Sequence, residues 1–376
     1  MLSNSKNIFQ ENSVDRGAFL MQLLKLDGPL LFLISLISLI GVFVLYSASN
    51  ESAEVLTRQL FRIMIAFIAL IITSQLSIDF IRRLSPWCFF GGLLLLFLVL
   101  LTGDIGQGAK RWLNLGVRFQ PSEVMKLAVP MMVAWYLYDK KIPPSGKQML
   151  IIFVLILIPS ILIAKQPDLG TSILVFIAGM LIVFLSGIHF RYIITLIFMS
   201  LPSSLLLWKF MEGYQRQRVI TLLNPDSDPL GAGYNIIQSK IAIGSGGLFG
   251  KGWTNGSQVQ LEFLPEKSTD FIFAVIGEEF GLLGLVSILL IYILIIARGL
   301  YIASQATDLY SRLLAGSISL TFFVYVFVNA AMVIGLMPIV GIPLPLISYG
   351  GTSMVTLMIG FGILMSISSN RKLLAT

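Results

Sequence analysis

Apolar residues in this chain come in long blocks, apolar on every side of a helix, separated by short polar stretches. A block of that kind reads as a helix surrounded by apolar material rather than one face of an amphipathic helix. About 17–25 helical residues cross a hydrocarbon layer of roughly 30 Å. Blocks of this order occupy 27–48, 60–77, 87–102, 122–138, 149–165, 169–187, 191–210, 271–297, 313–336 and 350–369. The pattern predicts an all-α integral membrane protein of about ten transmembrane helices, a single polytopic domain over 1–376. The first 20 residues are polar and lack a small-residue cleavage site, so 1–26 reads as a retained tail.

The one long connection, 211–270, joins helices 7 and 8. It contains Pro225, Pro229 and Pro265 and a glycine cluster at Gly244, Gly246, Gly247, Gly250 and Gly252. Tyr234, Ile236, Ile237, Phe249, Trp253, Phe263 and Leu264 punctuate it, which predicts an ordered loop of short helices on the membrane surface. Its Gly-Ser-Gly-Gly run is no phosphate-binding P-loop, because the Lys-Ser/Thr spacing and a preceding strand are missing.

Composition narrows the class. The 376 residues are 56% hydrophobic and 12% charged. Soluble domains run near a quarter charged, so a water-soluble protein is excluded. A single Cys, Cys88, excludes an intramolecular disulfide and a Cys-based metal site. A single His, His189, argues against histidine catalysis. The net charge of +7 concerns topology and anionic lipid rather than nucleic acid.

Charge also orients the chain. Lys25, Arg82, Arg83, Lys140, Lys141, Lys147, Arg191, Arg298, Arg312, Arg371 and Lys372 fall on one side, expected to be the cytoplasm. Both termini and the tail 1–26 are then cytoplasmic, and 211–270 faces outward. The loop from Met337 to Tyr349 carries no charge. Lys110, Arg111 and Arg118 break the rule on the outer side, which suggests that cations are wanted there.

Ionisable residues in or beside the spans are costly and mark candidate chemistry. Asp270 stands at the outer start of span eight, with Glu278 and Glu279 about two turns further on. Glu123 and Lys126 share a helix face at i,i+3, and Asp168 opens span six. These three are expected to form one ion network joining spans four and six. Arg111, Arg118, Arg216 and Arg218, with Lys110, Lys267 and Gln215, are the cationic and polar candidates on the outer side. Arg216 and Arg218 share one side of an extended segment, but diverge by roughly 160° on a helix. Each reading has a structural alternative: a helix-dipole acid for Asp270, a helix cap for Asp168, a plain ion pair for Glu123 and Lys126, lipid anchors for the arginines. No metal ligand cluster is visible in the sequence.

Several motifs in order resemble the SEDS family (shape, elongation, division and sporulation). They are Gln120-Pro121-Ser122-Glu123 with Lys126, Lys165-Gln166-Pro167-Asp168-Leu169-Gly170, Gly231-Ala232-Gly233-Tyr234 with Gln238-Ser239, and Gly244-Ser245-Gly246-Gly247. Phe263-Leu264-Pro265-Glu266 with Thr269-Asp270-Phe271-Ile272-Phe273-Ala274, and Pro345-Leu346-Ile347-Ser348-Tyr349-Gly350-Gly351-Thr352-Ser353, complete the set. Gly250-Lys251-Gly252-Trp253, Glu262-Phe263-Leu264-Pro265 and Gly341-Ile342-Pro343-Leu344-Pro345 are similar to the elongation branch rather than the division branch. The family often has His before the Thr-Asp pair; this chain has Ser268.

The resemblance implies a peptidoglycan glycosyltransferase of the cytoplasmic (inner) membrane. It would polymerise lipid II, a disaccharide-pentapeptide on undecaprenyl pyrophosphate, into β-1,4 glycan for cell elongation and rod shape. It also implies partnership with a class B penicillin-binding protein, a transpeptidase, and with other elongation-complex proteins. Asp270 then fits a general base, and the cations fit the departing pyrophosphate. A divalent cation, Mg or Mn, is compatible with that task. An α-linked donor giving a β product needs inversion and no covalent carboxylate. A lipid II flippase and a non-catalytic scaffold are the competing classes.

Overall fold

The computed structural model describes residues 25–374 except 107–108, 115–117, 229–230 and most of 189–212. Nearly all of the tail 1–26 and of the span expected at 191–210 therefore lies outside the described residues, as do His189 and Arg191.

The other nine expected spans are helices: α1 (Gly28–Ala48), α2 (Ala53–Gln75), α3 (Ile78–Thr102), α4 (Pro121–Leu137), α5 (Gly146–Ala164), α6 (Leu169–Leu185), and, after the long connection, α10 (Ile272–Ser304), α11 (Leu309–Val333) and α12 (Thr352–Leu374). Among the described residues, seven of these are long and apolar enough to cross a membrane, and α6 is a shorter apolar helix. The starts of α2 and α3 differ most from the apolar blocks. Hydrocarbon stops at a charge, but a helix need not: Ser52 and Ser77 cap α2 and α3, and the first turns hold Glu54, Arg58, Asp79 and Arg82. Those charges pair at i,i+4 and i,i+3 on the helix surface.

Side chains are arranged for lipid. Trp87 (77% exposed), Phe32 (66%) and Leu94 (61%) point outward, where water would not tolerate such a belt. Inside, one continuous apolar core runs through all nine helices. Helix α4 is the central element, with Glu123, Lys126 and Pro130 all buried. At one end of the bundle Arg298 of α10 grips Asp27, the cap of α1, through two hydrogen bonds of 2.9 and 2.7 Å, and Ser368 of α12 adds a third. Asp270 lies at the opposite end.

At the Asp270 end three segments depart from simple helix. Between α3 and α4 the chain forms a small antiparallel ribbon, β1 (Asp104–Gly106), β2 (Ala109–Asn114) and β3 (Arg118–Phe119), pairing Gly106 with Ala109 and Asn114 with Arg118. The long connection folds as α7 (Gly213–Leu223), α8 (Ala232–Gly246) and α9 (Ser257–Gln260), as its aromatic punctuation suggested. Helix α10 is broken at Gly281, whose φ of 64° and ψ of −161° only glycine adopts readily.

The break is closed by the glycine-rich segment. Carbonyls of Glu278 and Glu279 accept from the amides of Lys251 and Gly252, and the amides of Leu282 and Leu283 donate to Gly247 and Leu248. Such close contact requires a bare backbone: a methyl on Gly250 would stand 2.1 Å from the Glu279 carbonyl oxygen. In a membrane every backbone group must find a partner inside the protein. The glycine cluster supplies them here.

The third departure is 338–351, between α11 and α12. It dips into the bundle: Tyr292 of α10 bonds the Pro345 carbonyl at 2.5 Å, and Gln59 of α2 bonds the Ser348 carbonyl at 3.3 Å. Ile347 packs against Gly41, seven residues before the end of α1 and so ~10 Å along its axis. The charge-free stretch is thus buried backbone, not a surface loop.

Candidate active site

Asp270 closes a tight turn, Pro265–Asp270, immediately before α10. The turn braces itself: Thr269 Oγ1 donates to Glu266 Oε2 at 2.7 Å. At Ser268, Thr269 and Asp270, four further hydrogen bonds tie it to the rest of the bundle. Ser268 Oγ donates to the Ala48 carbonyl at the end of α1 (3.2 Å). The Tyr349 amide donates to the Ser268 carbonyl (2.8 Å). Ser348 Oγ donates to the Thr269 carbonyl (2.5 Å), and Asn329 Nδ2 to the Asp270 carbonyl (2.9 Å). Ser268, standing where the family often has His, is therefore a backbone clasp.

All these bonds hold backbone or neighbouring residues. Among the described residues the Asp270 carboxylate accepts no hydrogen bond. Burial, followed by the negative charge of Glu266, raises its pKa to about 6, with Arg218 opposing. It can therefore be deprotonated near neutral pH yet remain a competent base.

Beside it opens a cleft of about 470 Å³ lined by Arg111, Asp168, Gln215, Arg218 and Val340, among others. The residue after Val340, Gly341, lies against Asp270: a methyl there would stand 3.6 Å from the carboxylate. Arg111 reaches in from β2 and donates to the Pro167 carbonyl at 2.8 Å. Its Nε is buried without a partner. Gln215 and Arg218 share one face of α7 at i,i+3.

Several expected members lie elsewhere. Because Gly213–Leu223 is helical, Arg216 diverges from Arg218, and it spends its guanidinium on the carbonyls of Trp208 (3.0 Å) and Lys209 (2.9 Å). Lys267 turns away to Asn50 Oδ1 (2.7 Å) and the Val259 carbonyl (2.6 Å), and burial lowers its pKa. Arg118 is in β3, its side chain outside the described part.

The expected ion network is also smaller. Lys126 and Glu123 pair at 2.6 Å, both buried, with the ammonium 5.0 Å from the centre of the Tyr325 ring. Asp168 makes no ion pair among the described residues. It caps α6 by accepting from Thr171, and takes Gln120 Nε2 at 3.0 Å. Gln120, next to Pro121 at the start of α4, thus links α4 to α6. The pair faces a second, mostly apolar cavity of about 750 Å³ between α4, α11, α12 and Pro343–Ser348. Glu278 and Glu279 are each engaged through one oxygen, by Lys251, Ser257 and the Gln258 amide for the first and Ser47 for the second, and the other oxygen of each is buried without a partner.

Among the described residues no group of three or more His, Cys, Asp or Glu side chains could hold a metal ion, so no step is assigned to one. Asn329, Tyr325 and the bond from Gln120 to Asp168 are not evident in the sequence. Asn329 had a signal, a lone side-chain amide inside an apolar block.

Comparison with known proteins decides the family. Residues 28–373 match the FtsW/RodA/SpoVE family, described as cell cycle protein. The chain belongs to that family. It is 49% identical over 352 residues to the peptidoglycan glycosyltransferase MrdB of Escherichia coli K12, covering 93% of this chain and 95% of MrdB. The fold of this SEDS protein is similar to a chain from a peptidoglycan synthase complex, in a study of how polymerization and crosslinking are coordinated. That likeness has a TM-score of 0.82 and 29% identity, over 92% of this chain and 98% of the other. It is also similar to the rod shape determining protein RodA of Thermus thermophilus, with a TM-score of 0.70 and 28% identity over 92% and 97% of the two chains.

Proposed function

We propose that this peptidoglycan glycosyltransferase joins lipid II units into β-1,4 glycan at the outer face of the cytoplasmic membrane, with Asp270 as the general base. The observation that carries the reading is the contrast in the turn itself. Three of its carbonyls are held by hydrogen bonds and the Ser268 side chain ties it to α1, while the Asp270 carboxylate is left unbonded beside a basic cleft.

In the step, the acceptor sugar hydroxyl attacks the donor anomeric carbon as the bond to pyrophosphate breaks. The hydroxyl proton passes to Asp270, and undecaprenyl pyrophosphate leaves with the electron pair. Attack opposite the leaving group inverts the anomeric centre, so one carboxylate is enough. Arg111 and Arg218, facing one cleft from two elements, are placed to hold the departing diphosphate. The Asp270 end of the bundle faces outside, and the end with Asp27 and Arg298 faces the cytoplasm, in keeping with the basic residues there. The partner fitting this activity is a class B penicillin-binding transpeptidase that cross-links the strands.

Purified protein, alone and with its transpeptidase, is given labelled lipid II and scored for polymer. Asp270→Asn forms glycan ~10²–10⁴-fold more slowly than the wild type; polymerisation by a folded Asp270→Asn at the wild-type rate overturns the assignment.

A further inference from the structure

Asn329 lies in α11, outside the cleft, with none of its surface exposed. Its amide nitrogen has two hydrogens and uses both. One goes to the Asp270 carbonyl at 2.9 Å and the other to the Ile342 carbonyl at 2.7 Å. Both acceptors belong to the site: Ile342 follows Gly341, the residue that stands against the Asp270 carboxylate. One planar group therefore fixes the distance between the base and the wall it works beside.

The chemistry of the side chain supports a purpose beyond packing. Asn329 Oδ1 is buried and has no partner. A buried acceptor without a donor weakens a fold, so packing alone gives no reason for an amide here. The two donated bonds do. The other bonds on the turn act on Ser268 and Thr269; among the described residues, Asn329 is the side chain that holds Asp270 by its own carbonyl.

We infer that Asn329 is a positioning residue for the glycosyl transfer, setting the aim of Asp270 through the backbone of that residue. This rests on the reading of Asp270 as base. The charged groups facing Asp270 are Glu266, on its own turn, and Arg218, from α7. The segment Met337–Tyr349 adds none, so releasing Asn329 changes where the carboxylate points and how much water it meets, not which charges surround it. A displacement near 1 Å at a reacting group can cost ~10²-fold in rate.

The test is a double-mutant cycle on the purified full chain, using labelled lipid II, with thermal melting and gel filtration establishing the fold of each variant. Asn329→Ala is expected to lower kcat about 10–100-fold with KM within about twofold. Its acid limb should move to lower pH, because the released carboxylate gains water. Asn329→Ser, which retains one donor, should fall between the two, and carries the test if the alanine variant does not fold. In an Asp270→Asn background, Asn329→Ala should cost nothing further, since it acts through the carboxylate that is gone. Equal losses in both backgrounds, a loss confined to KM, an unmoved acid limb, or an unchanged kcat would each overturn the positioning role. Wild-type polymerisation by Asp270→Asn alone would overturn the base assignment instead, so the two failures are distinct.

Discussion

Asp270 and Glu278 are acids two turns apart at the start of the same helix, and the protein treats them oppositely. Glu278 is fully buried, and one of its oxygens takes Lys251, Ser257 and the Gln258 amide at 2.7–3.1 Å. Asp270 is held only by its main chain. The arginines differ in place: Arg216 donates to two carbonyls, and Arg218 lines the cleft. A carboxylate that bonds to the fold through an oxygen is architecture, even where, as in Glu278, its other oxygen is buried without a partner, and a carboxylate whose backbone is clamped while its head stands beside a cleft is available for chemistry. Sequence position does not tell them apart.

The strongest way to break this contrast is Asp270→Asn. Loss of a general base predicts a rate ~10²–10⁴-fold lower in lipid II polymerisation, with little change in melting temperature. In the wild type, kcat/KM should rise with pH through about 6, because the base must lose its proton and its pKa lies above the ordinary carboxylate range. A profile flat from pH 5 to 7 would remove Asp270 from the mechanism.

Lys126→Ala leaves Glu123 buried without its counter-charge, which costs ~3–5 kcal/mol. Thermal melting should fall sharply. Glu123→Ala combined with it should cost less than the sum of the two, since they touch at 2.6 Å. Glu278→Gln should lower stability by about 1.5–3 kcal/mol through weakened charge-assisted hydrogen bonds, while folded enzyme keeps most of its rate. A catalytic collapse without destabilisation would place Glu278 with Asp270 rather than opposite it.

The smallest effect separates the arginines. Arg218→Lys keeps the charge but loses bidentate geometry, and should reduce kcat/KM roughly tenfold. Arg216→Lys should stay within about twofold. Equal losses in the two variants would mean that Arg216 also meets substrate.

Much of this was legible in the apolar blocks, because lipid leaves helices little choice of length. Asp270, Arg111 and Arg218 were also readable, as charges where the bilayer discourages them. Three things were not. The charge-free stretch from Met337 to Tyr349 reads as a loop after a span, and only Tyr292 and Gln59, far away in sequence, reveal that it dips inward. The divergence of Arg216 depended on whether α7 was helical, and its sequence gave no apolar period to decide it. The ion network was drawn one residue too wide, because a carboxylate at a helix start serves a cap as readily as an ion pair, and Asp168 took the cap.

The patched break in α10 also fixes how the outer part of this protein comes apart. Hydrogen exchange at Leu282 and Leu283 requires the carbonyls of Gly247 and Leu248 to leave, and exchange at Lys251 and Gly252 requires the carbonyls of Glu278 and Glu279 to be released. The four bonds pair the same two short segments, so they open together. The four amides should therefore exchange at one common rate, as one cooperative unit, although thirty residues of sequence lie between the two groups.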